Sequence, residues 1–173
     1  MPKTPEIPRP SQLWKQLSPE RRRIAAEAFW KDEHAAAEQV EAIAAIAQRI
    51  KFRPKSVAAL PLEKKARYLA GLSGVSELVA ARLLVSYHLG QHRPMMATFL
   101  DAAGIPHDEG LINDEDLQPP PRERLVEAAR VIAAAYPPAD VAVYLSTLVW
   151  QDPDTWGVLA ELPEAHPPAR QAS

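Results

Sequence analysis

Apolar positions along the chain recur at the three- and four-residue steps of an amphipathic helix, and no stretch alternates apolar with polar residues as a half-buried strand does. After a short turn over 11–17, Ser18 is placed to cap a helix with Pro19 first inside it, Glu20 beside its positive end and Ile24, Ala25, Ala28 and Phe29 inward. Ala36, Val40, Ile43, Ala47 and Ile50 then form a heptad seam of about two repeats. The pattern leaves open whether 19–50 is one bent helix or two. A basic connector over 52–60 holds one short turn. A helix from Pro61 presents Leu62, Ala66, Leu69 and Leu72 and closes over 71–74. The next, over 75–89, is apolar almost all round and is expected at the centre of the core. A helix from Pro94 carries Met96, Phe99, Leu100 and Ala103; Gly104 sits at its left-handed cap and Pro106 forbids its continuation. Past a loop come helices over 122–136 (Leu125, Ala129, Ile132, Tyr136) and 138–151 (Val141, Leu145, Leu148, Val149), then a short one capped by Asp152 with Trp156, Leu159 and Leu162 apolar.

The predicted architecture is all-α: a compact helical bundle of six to eight helices between Pro-rich disordered ends. Residues 1–10 and 163–173 are expected as tails, and 11–162 as one domain with a helical core at 18–104, an acidic loop at 105–121 and C-terminal helices at 122–162. Composition supports this. Alanine is abundant, the 6 glycines are few, and the 18 prolines fall in the tails or between periodic segments. The 173 residues suffice for a core of their own.

Charge and cysteine count narrow the chemistry. The formal net charge of −2 gives no global field toward nucleic acid or an anionic membrane. With no cysteine there is no disulfide, thiol nucleophile or thiolate metal ligand. The most apolar stretch, 78–85, is interrupted by Arg82, and the first residues lack the apolar core of a signal peptide, so a cytoplasmic protein without membrane partners is expected.

Four groups of residues carry candidate chemistry. The stretch Leu72-Ser73-Gly74-Val75-Ser76-Glu77-Leu78-Val79-Ala80-Ala81-Arg82-Leu83-Leu84 resembles the helix-hairpin-helix motif of DNA-binding proteins through Gly74, Val75, Ala80 and Leu83. That resemblance implies a DNA phosphate held by backbone amides at the helix start. Ser76 stands in place of the motif's second glycine, and Glu77 puts an acid where the family often has a base. Beside it, 49–67 holds Arg49, Lys51, Arg53, Lys55, Lys64, Lys65 and Arg67 against the single acid Glu63, whereas 101–118 holds six acids and no base. The two segments either face each other or stand in solvent.

His88 and His92, four apart, would share a helical face as a zinc-binding pair does. Gly90 and Pro94 oppose that geometry by ending the helix early. Asp101, His107, Asp108 and Glu109 are the candidates to complete a polar cleft with them. The acidic loop does not reproduce a calcium-loop spacing, and phosphate-loop, nucleophile-elbow and dinucleotide signatures are missing. The leading reading is a non-catalytic interaction module with a protein partner, self-association through the 36–50 seam being the form expected. The alternative is nucleic-acid binding through Arg53, Lys55, Lys64, Lys65, Arg67, Gly74 and Ser76. Third stands a small metal-dependent enzyme at His88 and His92. No cofactor is expected, zinc being the one exception that third reading allows.

Overall fold

A computed structural model describes residues 7–112 and 117–166. The expectations for 1–6, for Asp114, Glu115 and Asp116 of the acidic loop, and for 167–173 fall outside them. The described residues are all-α, with no strand; their one β-type pairing is an isolated bridge between Asp108 and Leu111. Among the described residues there are ten α-helices: α1 (Pro10–Gln16), α2 (Pro19–Lys31), α3 (Ala36–Ile50), α4 (Pro54–Ala58), α5 (Leu62–Ala70), α6 (Glu77–Gln91), α7 (Arg93–Ala103), α8 (Arg122–Ala135), α9 (Pro138–Gln151) and α10 (Pro153–Trp156). The count exceeds six to eight because the single-turn segments α4 and α10, each begun by a proline, are helices in their own right. No helix among the described residues is long and apolar enough to cross a membrane.

The helices gather into two compact units, Arg9–Gln91 and the described residues from His92 onward. In the first, α2 packs on α5 and α6, while α6 also receives α1 and α3. Trp14, Phe29, Ile46, Leu69, Leu83 and Leu84 are fully buried there. The nearly all-apolar α6 does lie among three helices, though its first-turn Leu78 is 62% exposed.

In the second unit α7 packs on α8, and α9 is embraced by α8, α10 and two 3₁₀ turns, Gly157–Glu161 and Pro163–Ala165. Phe99 meets Tyr144 edge-on, centroids 5.6 Å apart at 88°, and lies 6.0 Å from Trp156. Every residue of 140–148 is buried, so α9 is sequestered on all sides. Ser146 Oγ donates to Ala165 O (3.1 Å) of the second 3₁₀ turn, and Thr147 Oγ1 donates one turn back to Val143 O (2.7 Å). The turn at Pro163–Ala165 is a correction to the tail expected from 163, because Ala165 is buried against α9.

Several ends follow their sequence signals. Ser18 Oγ accepts from Arg21 N–H (3.2 Å), and Asp152 accepts from Thr155 N–H (3.3 Å). Gly104 closes α7 in the left-handed conformation, and Ile105 N–H reaches back to Leu100 O (2.9 Å).

The corner at Asp32 settles the open question over 19–50: two helices, not one. Asp32 ends α2 in an extended conformation. Its Oδ1 accepts from His34 N–H (2.9 Å), capping a 3₁₀ turn over Glu33–Ala35. Its Oδ2 accepts from the buried Ser86 Oγ (2.8 Å) and pairs with Arg82 of α6 (3.2 Å). Partial burial pushes this carboxyl up, but the Ser86 hydroxyl, the His34 amide and the Arg82 guanidinium outweigh that and hold it below the ordinary carboxylate value.

The corner also rotates α3. Its inward positions are Ala35, Ala42 and Ile46, one step off the expected seam. Gln39 occupies the intervening inner position, donating to Phe29 O (2.8 Å) and Asp32 O (3.2 Å), carbonyls that also accept from Asp32 N–H and Ala35 N–H. Of the expected seam only Ala47 is buried; Ala36 and Val40 are exposed, and Ile43 and Ile50 are intermediate.

Asp32→Ala is expected to lower the unfolding free energy by about 3 kcal/mol in denaturant titrations, because it strands Arg82. Ser86→Ala, which keeps the ion pair, is expected to cost about 1 kcal/mol. The folded carboxyl titrates below its unfolded value of about 4, so its stabilisation is complete above that pH and is lost as pH falls through the lowered folded value. The stability gap between wild type and Asp32→Asn should therefore be wide at pH 7 and close below pH about 4.

Candidate interaction surface

The outward rotation of α3 leaves an apolar strip in water. Val40 is 69% exposed, Ala36, Ala37 and Ala44 are exposed, and Ile43 is partly so. Charge is polarised along the same helix. Glu33, Glu38 and Glu41 lie at its start, and Arg49, Lys51 and Arg53 at its end. The polarity agrees with the helix dipole. It also gives the strip a direction.

The basic segment continues from that end. Lys51 closes α3 with φ 59 and ψ 38, a left-handed position usually held by glycine, and Phe52 N–H bonds back to Ala47 O (3.1 Å). Arg53 stands at the N-cap of α4, and α4 and α5 both pack on α3. Arg49, Lys51, Arg53, Lys55, Lys64 and Arg67 are exposed. Lys65 is different: its ammonium lies 5.0 Å from the Trp30 ring centroid, a cation–π contact within the unit. Among the described residues these seven bases form no ion pair within 4.0 Å, whereas Arg9, Arg23 and Arg82 pair with Glu77, Glu27 and Asp32. The segment Arg9–Gln91 carries fourteen Lys and Arg against eight Asp and Glu; the rest of the chain carries six against fourteen.

The turn between α5 and α6 does not join this surface in the manner of a phosphate-binding hairpin. Ser76 Oγ accepts from Val79 N–H (3.2 Å), so the start of α6 has its own cap. Glu77 accepts from the backbone N–H of Ser11 (3.1 Å) and from its hydroxyl, and lies 4.0 Å from Arg9. The Ser11 hydroxyl bond holds the Glu77 carboxyl below its ordinary value, so a negative charge sits where a phosphate would have to bind. Gly74 is not in the left-handed region, and a Cβ there would meet nothing within 4 Å.

The two expected histidines stand at the end of α6: α6 ends at Gln91, and His92 follows it directly as the N-cap of α7, at φ −126 and ψ 24. His88 is buried on α6. His92 Nε2 lies 3.7 Å from Asp140 Oδ1. Two members of the expected cleft do meet: His107 Nε2–H donates to Asp101 Oδ1 (2.7 Å) while its Nδ1 accepts from Gly110 N–H (3.0 Å). Those two bonds place the ring proton on Nε2 and make the imidazole a bracket for the tight turn 108–111, closed by reciprocal Asp108–Leu111 backbone bonds. Glu109, at φ 48, lies 3.8 Å from Arg93. Among the described residues no group of three or more His, Cys, Asp or Glu is gathered as a metal ion requires. In the same unit an open groove of about 300 Å³ is lined by Ala133, Pro138, Val141, Pro163, Glu164 and His166, His166 being tied to Ala160 O (2.8 Å). Sequence reasoning missed it, since 163–166 reads as tail. It also missed Phe52, although an aromatic between Lys51 and Arg53 was in plain view.

Compared with known proteins, the chain matches no family model, no curated protein and no solved structure.

Two glycine substitutions separate a turn that needs its glycine from one that does not. Gly74→Ala is expected to be neutral or to stabilise by up to about 1 kcal/mol. Gly110 sits at φ 89 with a Cβ position 2.8 Å from Met96 Cβ; Gly110→Ala is expected to cost more than about 1 kcal/mol. Thermal unfolding of both variants checks the pair.

Proposed function

We propose that the chain is a non-catalytic helical interaction module that pairs with a second copy of itself across the outward face of α3. The observation that carries this reading is the 69% exposure of Val40 within an apolar strip whose opposite face is already packed. A two-fold interface must be self-complementary. An antiparallel pair of α3 helices meets that demand, setting Glu38 and Glu41 of one copy toward Lys51 and Arg53 of the other, with Ala44 small enough near the crossing for close approach. A single 15-residue helix offers less than the roughly 800 Å² per partner of a standard interface. The pairing is therefore a weak, concentration-dependent one.

A second reading, nucleic-acid binding by the basic segment, is favoured by the exposed bases that have no acid partner. Its sites are Arg53, Lys55, Lys64 and Arg67. Gly74 and Ser76 drop out because Glu77 guards that helix start, and Lys65 because it lies over Trp30.

Light scattering coupled to gel filtration tests the leading proposal. The expected mass rises from 19.1 kDa toward twice that value as protein concentration increases. Val40→Glu should hold the chain at the monomer mass without lowering its melting temperature. A wild-type mass of 19.1 kDa at the highest concentration reached overturns the proposal.

A further inference from the structure

We propose that Phe52, with Lys51, Arg53 and Lys55 around it, is a stacking platform for single-stranded nucleic acid. The inference rests on the second reading above and names the ligand class for that site.

Large aromatic side chains are ordinarily drawn into the core, yet the chain turns Phe52 outward until 49% of it is exposed. The turn is made by Lys51 in the left-handed region, where a residue with a side chain is strained and glycine is not. The strained position thus holds a cation directly beside the exposed ring. Arg53 and Lys55 follow at alternate positions, all three cations exposed and without an acid partner among the described residues. Arg49 lies one half-turn before them, and Glu63 is the only acid from 49 to 67.

A phenyl face takes an unstacked base of any identity, and flanking cations take the phosphates on either side of it. A duplex keeps its bases stacked and offers Phe52 nothing. The chemistry therefore selects a single strand, with little sequence preference. It also predicts salt dependence: three or four neutralised phosphates on a single strand give a slope of log K against log salt of about −2 to −3.

The experiment uses the full chain at low salt and fluorescence anisotropy with a labelled oligothymidylate, the matched duplex, and polyglutamate as competitor. The expected result is binding of the single strand over the duplex with that salt slope. Phe52→Ala should weaken it about tenfold at unchanged melting temperature, and Phe52→Trp should restore it. Lys51→Gly should raise the melting temperature and weaken binding together, a combination that a merely structural lysine would not produce. Duplex bound as tightly as single strand, or full affinity in Phe52→Ala, overturns the platform while leaving the basic segment as a nucleic-acid surface. Failure to bind either form overturns both. Polyglutamate displacing the oligonucleotide at equal charge concentration, with Phe52→Ala indistinguishable from wild type, assigns the patch to acidic protein partners and overturns both as well.

Discussion

The carboxylate of Asp32 is the joint on which the unit Arg9–Gln91 turns. One side chain ends α2, caps the 3₁₀ turn that leads into α3, and ties that corner to Ser86 and Arg82 of α6. A partly buried charge is stable when opposite charge and hydrogen bonds replace the lost water. Here two donors and a guanidinium do so, which makes the corner rigid and directional. Gln39 adds a side-chain donor to the carbonyls of Phe29 and Asp32 at the same corner.

The phase of α3 follows from that joint. Because Ala35, Ala42 and Ile46 are turned inward, Val40 and Ala44 must face water, and the helix ends with its basic terminus displayed. The exposed apolar strip is thus a consequence of that corner, and the basic segment continues from the same helix. The same geometry places Phe52 just past the helix end, where no core residue covers it fully.

Elsewhere, polar groups that look chemical in isolation are engaged in holding the fold. Glu77 ties α6 to the start of α1, His107 brackets a tight turn between Asp101 and Gly110, and Lys65 lies over Trp30. Each is satisfied by partners that a solvated ligand would have to displace. The bases of 49–67 other than Lys65 are the contrasting case, exposed and carrying charge that the unit does not compensate.

Helix identity and most helix ends were legible from local chemistry, since their causes lie within a few residues: Ser18 and Asp152 as caps, prolines at first turns, Gly104 as a left-handed stop. The basic segment was legible as charge, and Asp101 with His107 as neighbours six residues apart. The corner at Asp32 was not, because its partners lie 54 and 50 residues away on α6. The apolar repeat of α3 misled for the same reason: periodicity reports how apolar residues are spaced, not which polar residue will take an inward place, and Gln39 took one. Likewise the burial of 140–148 in α9 and the packing of Pro163–Ala165 depend on neighbours distant in sequence. Local pattern sets what each segment is, because backbone propensity and capping act over one or two turns. Which of its faces meets water is set by long-range polar contacts, whose energies exist only once the helices have come together.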